Sequence, residues 1–224
     1  MTNNKNRYYK HSRISETKFR QILRCFSMDL TATETSQLCV ISVRSINSIY
    51  LKLRGHIVAI CERDSPYLND DESRGTNINP TVGSDLQTSG KQHLAFGIYL
   101  QNEFVYTEIA PSQTRNLLQQ NQRNAINTDD LVSHASWKNY DGLVDLYKTH
   151  LYRITTAISA NGEANNSCIE VDTFWNFAKR RLLQFNGIHQ HTFYLHLKET
   201  EFRFNNRRDN LYRILMKELR SNPL

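Results

Sequence analysis

At 224 residues, 39% hydrophobic and 22% charged, the chain is long enough for one medium domain and a small one around a real core. No stretch approaches the ~18 consecutive apolar residues of a membrane helix, and Met1 leads into polar Thr2-Asn3-Asn4-Lys5, so a soluble cytoplasmic protein without membrane contact is expected. Cys25, Cys39, Cys61 and Cys168 lack CxxC spacing and argue for neither a zinc site nor a disulfide framework.

The net charge of +6 is unevenly spread. Residues 1–63 hold eleven Lys and Arg against four Asp and Glu, residues 64–171 seven against thirteen, and residues 172–224 ten against five. Basic flanks attract phosphate and release its counterions, while an acidic centre suits a divalent metal. Simple solvation of the surface produces the same asymmetry.

The first sixty residues read as a helix-turn-helix. Ser15 caps a helix whose apolar positions Phe19, Ile22, Leu23 and Phe26 recur at helical spacing, ending near Met28. Thr31 to Glu34 has the form of a capping box and starts a short second helix toward Leu38. After a turn at Cys39 to Ile41, Ser42 caps a third helix that buries Ile46, Ile49, Tyr50 and Leu53. Val43, Arg44, Ser45, Asn47 and Ser48 then stand near its exposed start, where side chains of a helix-turn-helix reach base edges in the major groove. A three-helix bundle serving only packing or dimerisation fits the same spacing.

Residues 66–92 are rich in Asp, Asn, Ser, Thr and Gly and read as an irregular loop. His93 to Leu100 and Phe104 to Ala110 are apolar runs separated by Gln101-Asn102-Glu103, the pattern of a β-hairpin. Pro111-Ser112 opens a polar helix, and strands are expected at Leu131 to His134 and Leu151 to Thr155, which together suggest an α/β domain with a mixed sheet flanked by helices. In the segment from Asp172, Val171, Phe174, Trp175, Ala178 and Leu182 form one apolar stripe, flanked by Lys179, Arg180 and Arg181, which are candidates to track a DNA backbone. Helices over Phe193 to Phe204 and Leu211 to Leu219 complete the chain.

The phrases VYTEIAP (Val105 to Pro111), SWKNYDGLVD (Ser136 to Asp145), FWNFAKRRLLQFNGI (Phe174 to Ile188) and HTFYLHLKETEFRFN (His191 to Asn205) resemble the ISXO-type DDE transposases of bacterial insertion sequences. So does the N-terminal run SRISETKFRQILRCF with LTATE and IYLKLR, so that the resemblance covers nearly the whole chain in order. It implies a helix-turn-helix over residues 1–60, a ribonuclease H-like catalytic domain over 61–190, a C-terminal helical extension over 191–224, and the cutting and joining of transposon ends. Double-stranded DNA carrying terminal inverted repeats is the implied partner, bound by a homo-oligomer of at least two copies when two ends are paired. Arg44, Ser45, Asn47, Ser48, Lys179, Arg180 and Arg181 are the DNA-binding candidates.

That chemistry uses three acids, because two Mg²⁺ (or Mn²⁺) ions that activate a nucleophile and steady a leaving oxygen need carboxylate ligands. By the resemblance, Asp71 occupies the place of the first acid, with Asp64 the poorer match, and Asp172 stands where the third acid, a Glu, precedes the FW phrase by two residues. Asp71 and Asp172 are the catalytic and metal-binding candidates, although Asp172 is one methylene shorter and equally suited to stabilising a helix N-terminus. The second acid belongs two residues before Trp137, where this chain has Ala135, a methyl that cannot coordinate a cation. The alternative to an active transposase is a catalytically inactive relative that binds DNA, or the product of a decaying element.

Overall fold

A computed structural model describes residues 6–66, 94–110, 115, 140–146, 148–153, 164–184 and 190–224. Among them the elements run α1 (Glu16–Ser27), α2 (Ala32–Cys39), α3 (Val43–Asp64), β1 (Ala95–Gln101), β2 (Phe104–Ile109), β3 (Gly142–Asp145), β4 (His150–Arg153), α4 (Ala164–Gln184), α5 (Gln190–Asn205) and α6 (Leu211–Ser221). They divide into two compact units, Met1–Asp64 with Asn205–Leu224, and Ser65–Phe204.

In the first unit the expected caps form. Ser15 Oγ accepts from the Lys18 amide, and Thr31 and Glu34 satisfy one another's backbone amides reciprocally. The carbonyls of the last turn of α2, which has no basic residue of its own there, accept from α1 instead: Lys18 Nζ donates to Cys39 O at 2.7 Å and Gln21 Nε2 to Leu38 O at 3.2 Å. Helix α3 continues past Leu53 because Ile57, Ile60 and Cys61 extend its buried stripe at the same three- and four-residue spacing. Tyr50 of that stripe packs edge-on to Phe26, shares a hydrogen bond with Thr35 Oγ1 and donates to Leu30 O. Burial pushes its hydroxyl up to about 12, so it stays neutral and ties α3 to α2 and the α1–α2 turn. Helix α6 belongs to this unit through buried Leu215 and Leu219, each worth roughly 1.5–3 kcal/mol. Leu224 closes it by exchanging backbone hydrogen bonds with the N-terminal segment, Leu224 N to Tyr8 O and Lys10 N to Leu224 O.

In the second unit β1 and β2 form the expected hairpin, with Gln101 paired to Phe104 across a two-residue turn. Asn102 and Glu103 sit at φ 50° and 67°, the left-handed geometry of a turn matched to strand twist; Asn adopts it readily and Glu does so with strain. Strand β3, too short for a periodic signal, lies between β1 and β4, giving the order β2-β1-β3-β4. Every pairing among the described residues is antiparallel, so no parallel member of the mixed sheet expected from the sequence lies among them. The expected strand at 131–134 lies outside the described residues, as does the helix after Pro111-Ser112 apart from helical Arg115.

Alternation along the strands places Phe96, Ile98, Val105 and Val144 in one cluster with Val171, Phe174, Trp175, Ala178 and Leu182 of α4 and Phe193, Leu197 and Phe204 of α5. The apolar stripe read from the sequence of α4 is thus buried at every position. The other face carries Ala95, Tyr99, Ala110, Tyr140 and Leu143. Gly97 is required there, since a Cβ would run into the Tyr140 ring. Strand β2 is one of the two outer strands of the described sheet, and α5 supplies what its edge lacks. Thr107 N–H and Oγ1 donate to Glu201 at 2.8 and 2.7 Å, and Lys198 Nζ, itself 2.8 Å from Glu201, donates to Thr107 O. No helix among the described residues is long and apolar enough to cross a membrane.

Candidate nucleic-acid interface

The partition into units sharpens the charge pattern. The first unit holds sixteen Lys and Arg against seven Asp and Glu, and the second twelve against fifteen, so the positive charge collects on the unit with α1 to α3. Within it, Ser42 Oγ accepts from the Ser45 amide at 3.2 Å and bonds the Ser45 hydroxyl at 2.9 Å, which fixes the first turn of α3. Ser45 is half-buried, with its hydroxyl engaged with the cap. Arg44, Asn47 and Ser48 are exposed and make no side-chain hydrogen bond among the described residues. They share one face with Leu51, 48% exposed, at positions i, i+3, i+4 and i+7. Leu51 is absent from the sequence-derived candidates, although continuing the three- and four-residue spacing from Asn47 and Ser48 leads to it. Guanidinium, carboxamide, hydroxyl and isobutyl groups on one stripe match guanine, adenine, a general polar edge and a thymine methyl respectively.

The turn into α3 is strained. Val40 ends α2 in the left-handed region, φ 53° and ψ 53°, where a β-branched residue is a rarity, and it is 84% exposed. Val43, the first residue of α3, is also exposed.

On α4, Arg180 is exposed on a face shared with Thr173 and Asn176, and Lys179 is half-buried. Arg181 requires a correction: it is 5% exposed, and its Nη2 donates to Glu199 at 3.2 Å while Arg203 Nε donates to the same oxygen at 2.8 Å. A guanidinium inside that buried group cannot reach a phosphate without opening the core. Its position one step beyond Lys179 and Arg180 turns it about 100° around the helix, onto the inner side.

The acids tell a different story from the cations. Asp71 and Ala135 lie outside the described residues. Asp172, in the body of α4 rather than its first turn, receives two hydrogen bonds from Arg153 of β4, Nε to Oδ1 at 3.1 Å and Nη2 to Oδ2 at 2.8 Å. Asp141 is spent on β1, its Oδ2 accepting from the Leu100 amide at 2.7 Å, and burial raises its pKa. Asp145 is fully buried at the end of β3, but a Cβ on Gly142 of that strand would meet Val171 of α4. Residues 142 and 144 thus face α4, and Asp145 points to the opposite face, away from Asp172. Glu108 accepts from Tyr99 at 2.9 Å, on the tyrosine-lined face; both Tyr99 and Tyr140 are held above the ordinary phenol range, first by burial. Among the described residues no group of three His, Cys, Asp or Glu side chains converges to hold a metal ion. Of the three acid positions only Asp172 lies among the described residues, and there both its oxygens accept from Arg153.

Comparison with known proteins agrees with the sequence phrases. Residues 52–205 match the model of the ISXO2-like transposase domain. A protein of Haemophilus influenzae described as an uncharacterized transposase-like protein is 35% identical over 102 residues, covering 46% of this chain and 81% of that relative. No solved structure matches.

Proposed function

The chain belongs to the ISXO2-like transposase family, and from that membership we propose that it binds double-stranded DNA at transposon terminal inverted repeats without carrying out metal-dependent strand cleavage and transfer. The observation that carries the binding half is the exposed α3 stripe of Arg44, Asn47, Ser48 and Leu51 on the unit that collects the positive charge. Helices α2 and α3 serve as a helix-turn-helix, with the caps at Thr31 and Ser42 setting the entry of each helix. Lys179 and Arg180 add backbone contacts from α4.

The second unit is read as a relative of the ribonuclease H-like core, supported by the hairpin, the further strands and the helix α4 packed across one face. Domain limits of 1–60, 61–190 and 191–224, a cytoplasmic setting and a homo-oligomer pairing two DNA ends follow from the same reading. Loss of the second carboxylate at Ala135 leaves Mg²⁺ or Mn²⁺ without the ligand set that family chemistry calls for.

An active transposase is the second reading, favoured by one observation. Asp172 keeps the third-acid position, and its Arg153 partner is mostly exposed, so the pair contributes no more than about 1 kcal/mol and can yield to a cation. The test uses the full chain with duplexes carrying the element's ends and with random duplexes, then a supercoiled plasmid bearing both ends in Mg²⁺ and in Mn²⁺. Tighter binding to ends with no nicking is the expected result. Equal binding to random DNA rejects the family-level binding role. Nicking that disappears in Asp172→Asn rejects the inactive reading, and nicking that survives it shows that the acid positions are misassigned.

A further inference from the structure

We infer that α6 is a second DNA-backbone contact of the first unit, with Arg213, Lys217 and Arg220 seated against phosphates of the duplex. This rests on the DNA-binding reading above and extends it to a helix that neither the α3 stripe nor the α4 cluster includes. The three cations fall at i, i+4 and i+7, so they share one face of α6, and all three are exposed. None takes part in an ion pair among the described residues. The acid of α6 is Glu218, which lies on another side of the helix at 3.3 Å from Arg63 of α3.

Such an arrangement is unfavourable in isolation. Like charges at i, i+4 and i, i+3 destabilise a helix, and a glutamate at position 213, near its start, would stabilise it, although Arg220 is favoured by its place in the last turn. The helix is nonetheless held rigidly: Asn210 caps it, Leu215 and Leu219 are buried, Glu218 is paired, and Leu224 is tied to Tyr8 and Lys10. Its outer face is therefore a fixed row of cations on the unit with sixteen basic against seven acidic residues. A polyanion of regular spacing is the partner that fits, because each phosphate neutralised releases condensed counterions. Arg24 of α1, stacked over Tyr212 with its guanidinium carbon 5.3 Å from the ring, adds a further cation beside the start of the same helix.

The experiment measures affinity for an end duplex and a random duplex against salt concentration by fluorescence anisotropy, using the full chain and the variant Arg213→Gln/Lys217→Gln/Arg220→Gln. The slope of log affinity on log salt should fall in magnitude by about 2–3, roughly 0.9 for each phosphate that is no longer neutralised. The reduction should be the same on both duplexes, because phosphate contacts carry no sequence information. Helical content and melting temperature should be unchanged or slightly raised, since all three side chains are exposed. The variant Arg213→Lys/Arg220→Lys should keep the wild-type slope. An unchanged slope in the glutamine variant, with the wild type binding DNA, overturns the role of α6 alone. No duplex binding by the wild type overturns the DNA reading and this contact together. A weakening confined to the end duplex also overturns it, by assigning these residues to base reading.

Discussion

The contact between α5 and the edge of β2 can be tested by replacing Lys198 with Met. In the native unit the ammonium donates to Glu201 at 2.8 Å and to Thr107 O at 2.7 Å, and the two side chains are 5% and 2% exposed, so water cannot take over either bond. Methionine keeps the stem but leaves the Glu201 carboxylate with the two Thr107 donors and no cation among the described residues, and leaves the Thr107 carbonyl without this donor. Removing one member of a buried pair costs about 3–5 kcal/mol. Against a total stability of roughly 5–15 kcal/mol this is a large fraction. With a urea dependence of about 2 kcal/mol per molar, the midpoint should fall by about 2 M. Unfolding is followed through the fluorescence of Trp175, which packs against Phe96 in the same unit. Glu201→Gln should lose a comparable amount, and the double variant should lose at least about 2 kcal/mol less than the sum of the singles, as expected for partners in one network. A loss below about 1 kcal/mol for Lys198→Met, or a strictly additive double variant, would refute the reasoning, because either outcome means that the ammonium is not holding the strand edge.

Three further outcomes are expected. Val40→Gly should stabilise the first unit by about 0.5–1 kcal/mol, the relief of a left-handed β-branched residue less the entropy of glycine, with no packing sacrificed at a side chain 84% exposed; a lower melting temperature contradicts this. His56 Nε2 is buried without a hydrogen-bond partner among the described residues, and burial depresses its pKa, with Glu218 opposing and Arg63 reinforcing the shift. Its proton is held more tightly by the unfolded chain, so the stabilising contribution is whole above about 6.5 and is lost as pH falls from there toward the lower folded value. His56→Leu should accordingly lose less melting temperature than the wild type between about pH 7.5 and pH 5.5, and equal losses would exclude His56 as the source. Arg44→Ala should cost about 1–3 kcal/mol on the preferred duplex and relax its preference, whereas Arg180→Ala should weaken all duplexes alike; competition binding distinguishes the two patterns.

The helical caps were legible because a cap is a local event. Ser15, Thr31 and Ser42 each need a backbone amide only three residues away, and the spacing in the chain is the spacing in the bond. The α4 stripe was legible for a similar reason, a helix repeating every 3.6 residues over a long segment. Strand β3 was not, since four residues buried on both faces carry no alternation, and its existence depends on β1 more than forty residues earlier. Arg181 misleads because KRR looks uniform along the chain, while the helix turns its third member toward Glu199 of another helix. That α6 groups with the first unit depends on Leu215, Leu219 and the bonds of Leu224 to Tyr8 and Lys10, interactions that join the two ends of the chain and leave no periodic trace.

Helix α4 separates what keeps a fold from what keeps an activity. Phe174 and Trp175 are buried against the sheet, and truncating either leaves a cavity costing about 3–5 kcal/mol, a large fraction of the stability of a domain. Asp172, about one turn before Trp175, is held by a mostly exposed pair with Arg153 worth at most about 1 kcal/mol, and replacing it leaves the unit standing. Position 135 carries alanine, where the resemblance calls for an acid, in a chain that still matches the family over residues 52–205. Folding thus maintains the phrase by which the family is recognised, whereas only catalysis would maintain the acids. A well-kept FWNFAKRRL segment is evidence of descent and of a packed core, and the cleavage assay with Asp172→Asn is what bears on chemistry.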